Sequence, residues 1–165
     1  MLTALPVGER ELVIRRTFDA PRDLIFRAWT EAEHVRRWWG PRNYPAAHME
    51  MDARPGGRWR GYLKSTEGKP DLWFNGVFRE VDPPGRVVFT FAWEEEGERG
   101  METEVTVLLT EQGGRTHMEF RQTPFRSIAE RDGHHGGWDS AFDRLDERLA
   151  AISDRQGGSD PNASR

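Results

Sequence analysis

A pair of histidines precedes an aspartate, and one of the pair stands at helical spacing from it. His134 and His135 precede Asp139, and His135 and Asp139 are four residues apart. Imidazole and carboxylate at i and i+4 can share a cation. A metal site needs three or four ligands, and the spacing supplies no third, so no metal is assigned. Two further sets join a histidine to acids or a base: His48, Glu50 and Asp52, and His117, Glu119 and Arg121. Such groups could do acid/base work. In extended chain, however, their neighbours Met49, Met51, Met118 and Phe120 take the buried face, which turns the polar residues to solvent. Arg58, Arg60, Tyr62 and Asn75 flank the same strands. An inward arginine would call for an anionic ligand such as a fatty acid. An outward one forms surface ion pairs, which is the reading preferred here, since charged side chains rarely bury unpaired.

Nucleophilic and phosphate chemistry find no support. There is no cysteine, and no serine has an elbow context. Pro55-Gly56-Gly57, Gly113-Gly114 and Gly136-Gly137 lack the Lys-Ser/Thr of a phosphate loop and read as turns. No catalytic residue and no cofactor is assigned.

The aromatic residues carry more weight. The chain has seven tryptophans and nine phenylalanines, enough for both a core and a binding wall. Ligand cavities favour rigid aromatic walls with few polar groups, while the same rings also fill ordinary cores. Trp38-Trp39 suits a plug between short helices and a sheet. The residues expected to line a cavity are Trp59, Leu63, Phe89, Phe91, Met118, Phe120, Trp138, Phe142 and Leu145, because they fall on buried strand faces or on a helix stripe.

The elements that would position them follow from periodicity. Glu11–Phe18 reads as a first strand. Pro21 suits a first helical turn, and Leu24, Ile25, Ala28 and Trp29 repeat behind it. Thr30 and Glu33 are placed as a capping box for a second short helix over 31–38, ended by Gly40-Pro41. From Ala46 to Gln122 the period is two, giving six strands joined by short hairpins, hence antiparallel. Residues 94–98 with Gly100 read as a solvated loop. Trp138, Ala141, Phe142, Leu145, Leu149 and Ile152 form one apolar stripe on a helix over 134–153. A polar tail over 154–165 is expected to be disordered.

The predicted fold is therefore α+β: a strand, two short helices, six strands and a long C-terminal helix. One helix is about 10 Å wide, whereas seven strands span about 30 Å. The sheet must curl around the helix, which leaves room for an internal apolar cavity.

This order resembles the helix-grip fold of the START-like superfamily, also called SRPBCC or birch-pollen-allergen-like. FDAPRDLIFRAWTEAEHVRRWWGP (18–41), DARPGGRWR (52–60), GVFREVDPPGRVVFTF (76–91) and GHHGGWDSAFDRLDERL (133–149) are similar to blocks of one family within it. That family is named for the activator of the heat-shock-protein-90 ATPase, and the resemblance covers about residues 10–152. It implies one helix-grip domain over residues 1–153 that binds or senses a small hydrophobic molecule. It also implies two alternatives: a co-chaperone-like module acting on a chaperone or other protein partner, and a cyclase- or hydrolase-like enzyme.

Charge and length narrow the partners. The chain has 165 residues and a net charge of -4, with acids and bases interleaved and no basic stripe for nucleic acid. No run approaches the ~18 apolar residues of a membrane span, and the N-terminus lacks a signal-peptide core. A cytoplasmic location is expected.

Overall fold

The computed structural model describes residues 7–95 and 98–158. A single helical turn, α1 (Val7–Arg10), leads into strand β1 (Leu12–Phe18). Helices α2 (Arg22–Thr30) and α3 (Ala32–Val35) follow, then β2 (Ala46–Met51), β3 (Arg58–Leu63), β4 (Leu72–Asp82) and β5 (Arg86–Glu95). The chain closes with β6 (Glu98–Arg99), β7 (Thr103–Gln112), β8 (Arg115–Thr123) and the long helix α4 (Ile128–Gly158). The strands form one antiparallel sheet in the order β1-β8-β7-β5-β4-β3-β2, with β6 paired to β5 outside that path. This is the α+β element order that the periodicity predicts and the helix-grip fold that the resemblance implies.

Strand alternation places the core. In β8, Thr116, Met118, Phe120 and Gln122 are buried while Arg115 and His117 are exposed. The inner face meets α4 and the two short helices in one aromatic mass. Trp29 lies edge-on to Trp38 at 4.7 Å between ring centroids, Phe120 lies 4.6 Å from Trp138, and Trp39 lies 4.8 Å from Trp138. Such pairs add to the burial of their own large apolar surface. Trp38-Trp39 is the plug between short helices and sheet that the sequence suggests, and the Trp38 indole donates to the Ala28 carbonyl at 2.9 Å. At the sheet edge, Arg16 of β1 donates to Asp143 at 2.6 Å and Asp139 at 3.1 Å, tying the strand to α4.

β4 and β5 approach each other closely at mid-strand. At Gly76 a Cβ would stand 1.8 Å from the Thr90 carbonyl oxygen, so only glycine fits. The Trp59 indole donates to that same oxygen at 3.0 Å, and the Val77 amide donates to the Thr90 hydroxyl at 2.9 Å. Side chains thus satisfy buried backbone groups in this strip, and the register shifts between Phe78 and Glu80.

Several local expectations are corrected, the reading of Gly136-Gly137 as a turn among them, since both lie inside α4. The long helix begins at Ile128, six residues before the expected His134, because Ser127 caps it: the Glu130 amide donates to Ser127 Oγ at 3.0 Å. The Thr30–Glu33 capping box does not form. Thr30 Oγ1 donates back to the Phe26 carbonyl at 2.9 Å, and Glu33 pairs with Arg36 at 3.0 Å. The second short helix covers only Ala32–Val35 and relaxes into turns before Trp39. The acidic segment is not simply a loop, since β5 continues to Glu95 and pairs with β6 through Glu94–Arg99 and Glu95–Glu98. At the other end α4 runs on to Gly158. The rest of the expected tail, residues 159–165, lies outside the described residues.

Candidate functional site

The site begins with two adjacent rows on α4. Ala129, Gly133, Gly137 and Ala141 recur every four residues, and Glu130, His134 and Trp138 form the next row. Four residues rise about 6 Å along a helix, so each row lies on one face. The small row presents almost no side chain. A Cβ built on Gly133 or Gly137 meets no atom within 4 Å. Opposite stand Trp39 and Tyr44 from the segment after α3, Leu63 of β3, and Phe91 and Trp93 of β5. Between them lies an apolar cleft of about 400 Å³, open to solvent at one side.

The small row has a cost in helix stability. Each glycine in a helix interior is about 1 kcal/mol less favourable than alanine, and Gly133, Gly136 and Gly137 all lie inside α4. The chain therefore keeps open space where a side chain would improve its helix.

The polar groups at the cleft are bonded within the protein. The Trp93 indole donates to His134 Nε2 at 3.0 Å, which leaves the ring hydrogen on Nδ1, 2.9 Å from the Glu130 carbonyl it bonds. Two partners thus fix the orientation and tautomer of the ring. The Glu130 carboxylate accepts from Arg126 at 3.0 Å. Tyr44 Oη donates to the Pro70 carbonyl at 2.8 Å. Behind the wall, the Trp138 indole donates to Gln122 Oε1 at 2.8 Å, Gln122 Nε2 donates to Thr103 Oγ1 at 2.9 Å, and Thr103 donates to the Phe91 carbonyl at 3.2 Å. That chain runs from one lining residue to another and is satisfied at each step, which makes the wall rigid.

A larger depression of about 830 Å³ lies on the outer sheet face, around Arg58, Asn75 and Glu102. Several of its polar groups are bonded to one another: Arg60 and Asn75 donate to Glu94, and Arg99 to Asn75 and Glu102. It lacks the dry walls that hold a small molecule, so the smaller apolar cleft is the stronger candidate.

The comparisons with known proteins agree with this architecture. A family model described as "Activator of Hsp90 ATPase homolog 1-like protein" matches residues 19–150. The chain belongs to that family. Among solved structures it is similar to the AHSA1 protein from Silicibacter pomeroyi, with TM-score 0.78 and 23% identity over 86% of this chain and 99% of that one. A protein from Arthrobacter aurescens solved by NMR gives TM-score 0.78 and 23% identity over 90% and 93% of the two chains. One from Mycobacterium smegmatis gives 0.76 and 24% over 89% and 95%. These likenesses carry the fold. No curated protein matches the chain.

Within this family member, the structure divides the residues expected to line a cavity. Leu63, Phe91 and Trp138 do reach the cleft. Trp59, Phe89, Met118, Phe120, Phe142 and Leu145 do not; they are at most 2% exposed and fill the core against one another. The physical reason is volume. Trp29, Trp38 and Trp39 occupy the centre under the sheet, so the free space is an open cleft beside the first half of α4 and not an internal cavity. Sequence reading missed Tyr44, Trp93, Gly133 and Gly137 as lining and Gln122 as a buried anchor. The signals were present: Ala129-x3-Gly133-x3-Gly137-x3-Ala141 is a small-residue row, and Ser127-x-x-Glu130 is a helix-start signature.

The polar residues weighed for chemistry do not converge. His135 is exposed, while Asp139 accepts from Arg16 on the far side of α4. Glu50 and His117 are exposed on outer strand faces, as alternation predicts. Arg60 pairs with Glu94 at 2.8 Å and covers the Trp73 ring at 4.0 Å, both on the outer face. Among the described residues no group of three or more metal-binding side chains is gathered, and no helix is long and apolar enough to cross a membrane.

Proposed function

We propose that the protein binds a small hydrophobic molecule in the cleft beside α4. The observation that carries this reading is the small-residue row facing an aromatic wall. It leaves about 400 Å³ of apolar space at the expense of helix stability. The bonded state of the lining groups supports it too. An apolar guest buries surface there at about 25 cal/mol per Å² without stripping any polar group of its partner. No charged group is free in the cleft, so a neutral guest fits better than a fatty-acid carboxylate.

Binding is favoured over catalysis by the same geometry. A cyclase or hydrolase needs at least two polar groups converging on one reacting atom. Here His134 and Glu130 are both engaged elsewhere. The family's name points to chaperone ATPase activation, which would suit an apolar docking patch on the short helices. Those helices instead present the ion pairs Arg27–Glu31 and Arg36–Glu33.

Native mass spectrometry against a panel of fatty acids, aromatics and polyketides tests the reading. A one-to-one adduct with an uncharged member is expected. Retention of no member would remove the proposal.

A further inference from the structure

The segment that forms one wall of the cleft has a second depression on its other side, with the opposite chemistry. It holds about 360 Å³ and is lined by Arg37, Arg42, Arg144, Glu147 and Arg148. Four guanidiniums share it with one carboxylate, in a chain whose net charge is -4. That carboxylate is already taken, since both Glu147 oxygens accept from Arg42.

Arg144 is held by carbonyls and makes no direct ion pair among the described residues. Its Nη1 donates to the carbonyls of Trp39 and Gly40, each at 2.9 Å, and its Nη2 to that of Arg37 at 3.1 Å. Dipoles fix the guanidinium in place, and its charge is answered only at a distance by Glu147, which is itself bonded to Arg42. The Arg37 side chain makes no hydrogen bond or ion pair among the described residues. Arg148 Nη2 lies 3.4 Å from His34 Nδ1. Two neighbouring groups are shifted downward, by burial before any charge. Burial first, then Arg148, Arg27 and Arg37, hold the His34 imidazole below its ordinary value against the pull of Glu31. Burial and then Arg42 lower the Arg144 guanidinium against Glu147.

We propose that this depression is a binding site for a phosphate monoester group. The guanidinium fork matches phosphate oxygens two at a time. A dianion answers the charge by which Arg37, Arg42 and Arg144 exceed Glu147 better than one more carboxylate would. The depression concentrates the field of those charges at one point on a mildly acidic surface. The site stands on its own residues and does not depend on the reading of the apolar cleft.

The test is a titration of the full chain with inorganic phosphate, followed by calorimetry and by NMR of the His34 ring. Saturable binding is expected, and His34 titrates at higher pH when phosphate is present. Arg37→Gln and Arg42→Gln together weaken binding roughly tenfold or more, with thermal unfolding unchanged because both side chains are exposed. Glu147→Gln removes the competing carboxylate and tightens binding. Cosedimentation with phosphatidylcholine vesicles carrying phosphatidic acid separates the sources. Pelleting that the arginine substitutions abolish assigns a lipid headgroup, and phosphate binding without pelleting assigns a soluble ester. No saturable phosphate binding at low salt, or binding indifferent to Arg37 and Arg42, overturns the proposal.

Discussion

The Trp138 indole donates its hydrogen to Gln122 Oε1 at 2.8 Å, across the space between helix α4 and strand β8. Both residues are buried, and Trp138 is also a wall of the cleft. One hydrogen bond therefore joins the stability of the core to the shape of the site. Replacing Gln122 by Leu leaves the indole hydrogen without an acceptor. The expected loss is about 1–3 kcal/mol, the cost of an unsatisfied buried donor. Urea unfolding of Gln122→Leu, Trp138→Phe and the double variant checks it. The double variant is expected to lose less than the sum of the two; strict additivity would mean the bond does not hold the wall.

Gly136 and Gly133 differ in what a side chain at each would meet. Gly133 lines the cleft and Gly136 does not, though both are helical and both have open space at Cβ. Gly133→Ala and Gly136→Ala are each expected to stabilise the protein by about 0.5–1 kcal/mol in denaturant unfolding. Gly133→Leu fills the cleft and abolishes ligand uptake, while Gly136→Leu leaves it intact.

Glu94 gives the fold a measurable response to acid. The hydrogen bond from Arg60, reinforced by Asn75 and opposed by partial burial, holds its carboxyl at about 2, against an ordinary value of 4.5. The folded value is the lower one. The stabilisation is therefore complete above about pH 4.5 and is lost as the pH falls toward 2. Solvent access at this partly exposed pair limits it to about 1 kcal/mol. Glu94→Gln is expected to flatten the slope of stability against pH in that window and to lower stability at pH 7. An unchanged slope would show that the pair contributes nothing to it.

Arg144 anchors the wall shared by the cleft and the arginine depression. Its guanidinium reaches the carbonyls of Arg37, Trp39 and Gly40. A lysine has one point of charge and no fork, so Arg144→Lys keeps the charge and loses the geometry. A cost of about 1–3 kcal/mol is expected in thermal or urea unfolding. Equal stability of the Arg144→Lys variant and the wild type would mean that charge alone suffices.

The sheet was legible because one of its faces is buried, and that forces strict alternation. Met118 and Phe120 follow that rule in β8, whereas in β5 every residue from Val87 to Ala92 is buried and the alternation shows in residue size instead. Gln122 continues the β8 row, and a polar residue at an inward position implies a buried partner. What pattern does not supply is the identity of that partner, which sits on a helix sixteen residues away. The start of α4 was hidden for another reason. Gly133, Gly136 and Gly137 weaken helix propensity, and tertiary packing overrides that weakness. Gly133 and Gly137 also line the cleft, so the residues that hid the first turns of the helix hid the site with them. Which aromatic residues line space and which fill it depends on summed volumes across the chain, and periodicity carries no information about that.

The most direct test of the cleft is to map where an uncharged hydrophobic ligand from the panel sits. In ¹H–¹⁵N NMR spectra of the full chain, ligand addition is predicted to shift the amides of Gly133, Gly137 and Leu63 and the indole signals of Trp93 and Trp138. The Gly133→Leu variant is predicted to show none of these shifts. Shifts confined to the outer face around Asn75 and Glu102, or shifts that survive in Gly133→Leu, would contradict the assignment of the cleft as the binding site.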